Sequence, residues 1–200
     1  RVLKDYPAQQ AFLPALPVER RQAGIQRDSA LRKKQLPAGV MLINKIGEFG
    51  LIERIKKHIR TDVSVVKGIG DDCAVLRFGP GKYLLYTCDM IVEGVDFTSR
   101  DDRVLVGRKA LAICVSDIAS CGGIPQHALV SLGLTAKTRI KEVDCIYKGL
   151  NIIAKEFGVN IVGGDISKAP KLTIDVSLLG KVEKKNLVLR NGAKIGDSIF

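Results

Sequence analysis

Leu172-Thr-Ile-Asp-Val-Ser-Leu-Leu-Gly-Lys-Val182 alternates apolar and polar residues strictly through its first half, with Leu172, Ile174, Val176 and Leu178 set against Thr173, Asp175 and Ser177. Successive side chains of a strand point to opposite faces, so this strand buries one face and wets the other. A sheet built from such strands is largely antiparallel or mixed, with helices on one side. Upstream runs fit the same architecture. Short β-rich runs occupy Val63–Val66, Cys73–Phe78 and Tyr83–Cys88, punctuated by Gly68, Gly70, Gly79, Pro80 and Gly81, and further strands are predicted near Ala128–Leu134 and Asn160–Val162. Leu51, Ile52, Ile55 and Ile59 recur at helical spacing. A second helix is predicted over about Val104–Ser120, with Leu111, Cys114, Val115, Ile118 and Ala119 as its apolar stripe and Gly122–Gly123 as its stop. A third covers about Arg139–Phe157 on Ile140, Val143, Tyr147, Leu150, Ala154 and Phe157. The predicted fold class is α+β.

The 200 residues suit one globular domain. The longest apolar runs fall short of the roughly 18 residues that a membrane helix needs, so no membrane span or membrane partner is expected. Cys73, Cys88, Cys114, Cys121 and Cys145 are odd in number, contain no CxxC pair and sit in aliphatic stretches. They read as reduced thiols of a cytoplasmic protein. The formal charge of +11 invites a nucleic-acid reading, but residues 1–40 hold 8 Lys and Arg against 3 acids and so carry nearly half of the excess. That segment has four of the seven prolines and no sustained periodicity. It is expected to be a disordered or non-native leader, with the domain over 41–190 and no nucleic-acid partner. Gly196-Asp197 precedes what reads as a new strand, which makes 191–200 the expected start of a further, truncated domain.

Three acidic sites share one pattern, a β-rich run joined to an Asp flanked by Gly or small polar residues: Gly68-Ile-Gly-Asp-Asp72, Tyr86-Thr-Cys-Asp89 and Gly163-Gly-Asp165. Asp117 lies off the apolar stripe of the second helix. Carboxylates gathered without a cation repel and raise one another's pKa, and hard oxygen ligands suit Mg²⁺. Gly68, Gly70, Gly163 and Gly164 remove Cβ atoms where backbone N–H groups approach an anion. Together these residues suggest a Mg²⁺-nucleotide site, although each motif taken singly is also a common turn. His58 and His127 do not form a metal pair, Ser116 lacks an activating neighbour, and no GxxxxGK[ST] or GxGxxG occurs. Lys181-Val-Glu-Lys-Lys185 has no interleaved aromatics and reads as a solvated turn.

These residues resemble the thiamine-monophosphate kinase family of the AIR-synthetase-like (PurM-like) superfamily. The resemblance starts at Gly47-Glu-Phe49 with Leu51-Ile52 and continues through Gly68-Ile-Gly-Asp-Asp-Cys-Ala-Val-Leu76 and Thr87-Cys-Asp-Met-Ile-Val-Glu-Gly94. It then takes in Gly107-Arg-Lys-Ala-Leu-Ala112, Ser116-Asp117, Val162-Gly-Gly-Asp165, Leu189-Arg-Asn-Gly-Ala193 and Gly196-Asp197. It implies a PurM-like N-terminal domain that forms a homodimer through its sheet, followed by a second α/β domain. It also implies ATP-dependent phosphorylation of thiamine monophosphate to thiamine diphosphate. Carried over by position, Asp72, Thr87, Asp89, Asp117 and Asp165 bind Mg²⁺. Tyr147, Gly164, Asp165 and Arg190 contact ATP, and Asp96 stands at a substrate contact where the family often has His. Cys88 and Cys114 stand where Thr and Asn are familiar. No catalytic base is implied, because a phosphate monoester already presents anionic oxygen. Other ATP-dependent members of the superfamily (AIR synthetase, selenophosphate synthetase, the hydrogenase-maturation dehydratase) and an inactive dimerising nucleotide-binding half are the alternatives.

Overall fold

Among the described residues, six strands and three α-helices follow in the order α1 (Gly47–Lys56), β1 (Val65–Lys67), β2 (Ala74–Arg77), β3 (Lys82–Val92), α2 (Arg103–Ser120), β4 (Ile124–Leu134), α3 (Ile140–Phe157), β5 (Asn160–Lys168) and β6 (Thr173–Glu183). The computed structural model describes residues 42–197. The expectation for residues 1–40 lies outside the described residues, as does the strand expected towards Phe200. Among the described residues, no helix is long and apolar enough to cross a membrane, and all five cysteines are free.

The strands form one mixed sheet in the order β1-β2-β3-β6-β4-β5. Only β4 and β5 run parallel, and the other four pairings are antiparallel. The decisive strand is β6. It pairs with β3 from Val92↔Thr173 to Lys82↔Glu183 and with β4 on its other edge, so its alternating pattern sits at the centre of the sheet. Ile174, Val176 and Leu178 are completely buried under the helices. Thr173, Asp175 and Ser177 occupy the opposite, open face, where Tyr86, Met90 and Leu129 are each more than 40% exposed.

On the covered face α2 lies across β3, β6 and β4, and α3 packs on α2. Asp102 caps α2, its carboxylate accepting the Val104 N–H at 2.7 Å. The Glu142 carboxylate accepts the Arg139 N–H at 3.0 Å to start α3, and Gly158 ends it in the left-handed conformation at φ 68°. The two helices meet backbone to backbone. A Cβ added to Gly107 would lie 2.0 Å from the Ile146 carbonyl oxygen, and one on Gly149 would lie 1.9 Å from that of Val104.

Arg103 fastens this layer to the sheet. Its guanidinium donates to Glu93 at 3.0 Å, to Glu142 at 3.3 Å and to the Thr98 carbonyl at 3.2 Å, with its side chain only 12% exposed. Arg103→Leu leaves Glu93 without its partner and Glu142 with Arg139 alone, and a loss of about 2 kcal/mol is expected in urea denaturation. An unchanged midpoint would mean that the network contributes nothing net.

Candidate functional site

The C-terminal end of α2 gathers acids from three elements. Asp117 and Ser120 sit one turn apart and therefore share a face of the helix. Thr87 and Asp89, two apart on β3, both point to the covered face, because they oppose the buried Leu178 and Val176 of β6. The loop before β2 supplies Asp72.

Contacts tie the group together. The Thr87 hydroxyl donates to Asp117 Oδ2 at 2.7 Å, and the Ser120 hydroxyl lies 2.8 Å from Asp72 Oδ2. Burial, the Asp117 charge and hydrogen bonding to Asp117 push the Asp89 carboxyl above the usual carboxylate range. Asp72 is held below it by the Ser120 hydroxyl and by Arg190, whose Nε donates to Oδ1 at 2.8 Å while Nη2 contacts the same oxygen.

Two carboxylates facing each other, one of them part-desolvated and the other accepting the Thr87 hydroxyl, with no salt-bridged Lys or Arg on either among the described residues, are short of positive charge. The donor set is hard oxygen throughout, which fits Mg²⁺ and not a soft metal. Among the described residues no three His, Cys, Asp or Glu side chains already converge as a ligand cage. Cys114, behind the acids, donates to the Val176 carbonyl at 3.2 Å, and burial pushes its thiol up to about 12. It is a packing residue there. Cys88 points to the open face, with its thiol also raised by burial and by Asp175 and Asp89.

Other expected site residues stand apart from this group within one chain. Asp96 follows β3, and its carboxylate accepts the Val92 N–H at 2.8 Å, closing its own loop. Its carbonyl accepts from Lys109, which is eight residues, or about 12 Å, along α2 from Asp117. Tyr147 packs against the core on α3 beside Ile146, which abuts Gly107, about 15 Å along α2 from Asp117. Asp165 lies inside β5 and not at a turn. It pairs with Ser131, which on its other side pairs with Asp175 and, beyond that, Met90. That row places Asp165 on the open face, three strands or roughly 14 Å from β3. Gly164 has a packing reason as well, since a Cβ there would lie 1.8 Å from the Val130 carbonyl oxygen.

Two participants were not singled out from the sequence, Ser120 and Asp71. The helical spacing from Asp117 was the available signal for Ser120. For Asp71 it was the doubled Asp of the Gly68–Asp72 loop. Beside them a cleft of about 500 Å³ opens between α1 and the Gly68–Asp72 loop, lined by Phe49, Ile52, Ile69, Gly70, Asp71 and Arg190 among others. The Gly47-Glu-Phe49 start of α1 thus borders the Asp-Asp loop in space.

The family described as AIR synthase related protein, N-terminal domain, matches residues 70–182, a span that contains Asp72, Thr87, Asp89 and Asp117. The chain belongs to this family. Within the AIR synthase related proteins, its relatives are specific. Thiamine-monophosphate kinase of Aquifex aeolicus (strain VF5) is 39% identical over 160 residues, covering 80% of this chain and 50% of that protein. The Bacillus subtilis (strain 168) protein of the same name is 39% identical over 158 residues, covering 76% of this chain and 48% of its own length. The solved structure of AaThiL complexed with AMPPCP and TMP superposes with a TM-score of 0.73 at 38% identity, over 80% of this chain and 50% of that one. The chain therefore spans about half the length of the curated relatives it matches. The six-stranded α+β fold is the N-terminal fold of this AIR synthase related, PurM-like group.

Proposed function

We propose that the protein carrying this chain is a thiamine-monophosphate kinase that transfers the γ-phosphoryl group of ATP to thiamine monophosphate, giving thiamine diphosphate and ADP. The observation that carries the reading is the pair of hydroxyl-to-carboxylate contacts, Thr87 to Asp117 and Ser120 to Asp72, with Asp89 beside Asp117 at one end of α2, in a chain 39% identical to enzymes of that name. The AIR synthase related fold alone would leave the acceptor open. The solved relative that holds an ATP analogue together with TMP supports this acceptor.

Asp89, Asp117, Thr87 and Asp72 would hold Mg²⁺, and its charge would screen the two phosphorylated reactants from each other. Everything else follows from the chain's own groups. The acceptor is a phosphate monoester, already anionic at neutral pH, so no side chain needs to abstract a proton. Arg190 stands at the rim as the cation available to nucleotide phosphate, with Asp72 as its counter-ion in the ligand-free chain. Asp165 and Gly164 meet ligand from the open face, in a homodimer that covers it. Tyr147 and Asp96 serve the nucleotide and substrate ends respectively. The enzyme works in the cytoplasm.

The full-length protein is expected to form thiamine diphosphate from thiamine monophosphate and ATP, with turnover abolished by chelation and restored by Mg²⁺. Absence of product under these conditions overturns the assignment. Product from a different phosphate acceptor, with none from thiamine monophosphate, replaces it by another activity of the same fold.

A further inference from the structure

Asp71 is the inward half of the Asp-Asp pair. Its side chain is 1% exposed, against 22% for Asp72. It accepts the Asp72 N–H at 3.1 Å and the Arg190 N–H at 3.3 Å, and Lys67 Nζ lies 3.7 Å away. A carboxylate so enclosed has little left to offer a ligand. We propose that Asp71 is the positioning residue that sets Arg190 over the nucleotide-phosphate site. The proposal rests on the kinase reading above.

The path of the chain shows why such an anchor is needed. After β6 the backbone returns past the site, with Leu187 and Leu189 packed on the core and the Val188 N–H donating to the Cys121 carbonyl at 3.2 Å. The Arg190 N–H on Asp71 is the next tether. Among the described residues, those after it make hydrogen bonds only within their own turn, Asp197 N–H to Lys194 and Lys194 N–H to Asp197. The Arg190 guanidinium therefore points at the site from a backbone held by Leu187–Leu189 before it and by Asp71 at its own N–H, with no further tether to the sheet after it among the described residues. The pairing Asp71 to backbone and Asp72 to side chain keeps the same arginine in register with the loop that carries the metal-site acid.

Both backbone bonds need an acceptor and not a charge, which separates this role from metal binding. In the full-length protein, Asp71→Ala is expected to raise the KM for ATP roughly 10-fold while kcat at saturation stays within about 3-fold, because ground-state placement is lost and not transition-state chemistry. Asp71→Asn, whose Oδ1 still accepts both N–H groups, is expected to restore the KM to within about 3-fold. Asp71→Ser, too short to reach Arg190, replaces the alanine variant if that one fails to fold. Amide hydrogen exchange on the nucleotide-free protein supplies a readout without turnover. The Arg190 amide is expected to be protected in the wild type and in Asp71→Asn, and fast in Asp71→Ala or Asp71→Ser. An unchanged KM in the Ala or Ser variant, an Asn variant as damaged as Ala, or an unprotected Arg190 amide in the wild type overturns the inference. A wild type that protects this amide but does not turn over ATP overturns the kinase reading and leaves the anchor standing.

Discussion

Gly149→Ala unfolds much of the domain's margin of stability, although a simple helix-propensity argument expects the reverse. Alanine is the better helix former by about 1 kcal/mol, and Gly149 lies in the interior of α3. The position is decided by its neighbour. The new Cβ would stand 1.9 Å from the Val104 carbonyl oxygen and 2.8 Å from the Arg108 nitrogen. Both are backbone atoms of α2 and cannot rotate away. Ordinary contact requires the helices to part by about 1.5 Å, which opens gaps around Ile146, Leu150 and Leu111, all completely buried. A loss of about 3 kcal/mol or more is expected by urea denaturation, a large part of the stability of a domain this size. Gly107→Ala meets the Ile146 carbonyl oxygen at 2.0 Å and is expected to behave alike. A Gly149→Ala protein as stable as the wild type would mean that α2 and α3 do not touch through their backbones.

Asp89→Asn has opposite effects on stability and on activity. Burial and the facing Asp117 raise the Asp89 carboxyl in the fold, so its protonated form favours the folded state and that contribution is lost as pH rises through the raised value. At neutral pH the ionised carboxylate is therefore a cost. The neutral amide removes it. Without metal, the variant is expected to melt a few °C higher than the wild type, the gain staying small because solvent screens the pair. Added Mg²⁺ is expected to raise the melting temperature of the wild type and to leave the variant unmoved. Turnover is expected to fall roughly 100-fold or more. A variant that is less stable without metal yet fully responsive to Mg²⁺ would make Asp89 a structural acid and remove it from the site.

Local patterns carried much of this. The alternation of Leu172–Leu178 announces a half-buried strand whatever its partners, and the stripes of α2 and α3 announce amphipathic helices. The limits of that reading are equally physical. Ile140 and Phe157 fit the apolar stripe of α3 but lie 81% and 45% exposed at its ends, whereas the contact with α2 runs through Ile146 and Gly149. Glycine has no hydrophobic signal, so a backbone-to-backbone crossing is invisible to periodicity. β3 continues past Cys88 to Val92, because pairing with β6 extends to Thr173. β5 continues through Gly163-Gly-Asp165, because β4 supplies a partner as far as Lys168.

The same reasoning applies to the site. Asp72, Thr87, Asp89 and Asp117 share a neighbourhood that helical and strand spacing make plausible, since each side chain's face follows from its element. Asp165 carries the same local grammar, but its face depends on a register with Ser131 and on a strand order that no local pattern encodes. Asp71 looked like a twin of Asp72, and only the return of residues 187–190 reveals which of the two faces inward.

Because β6 is the last of the six described strands yet lies between β3 and β4, these two cannot be joined until Glu183 has been made, roughly 100 residues after the Lys82 with which it pairs. Until β6 is in place, the β3 and β4 edges on which it pairs are unprotected and part of the underside of α2 is uncovered. Unpaired strand edges favour edge-to-edge association, so this long-range pairing is the step at which the folding chain is most exposed to aggregation.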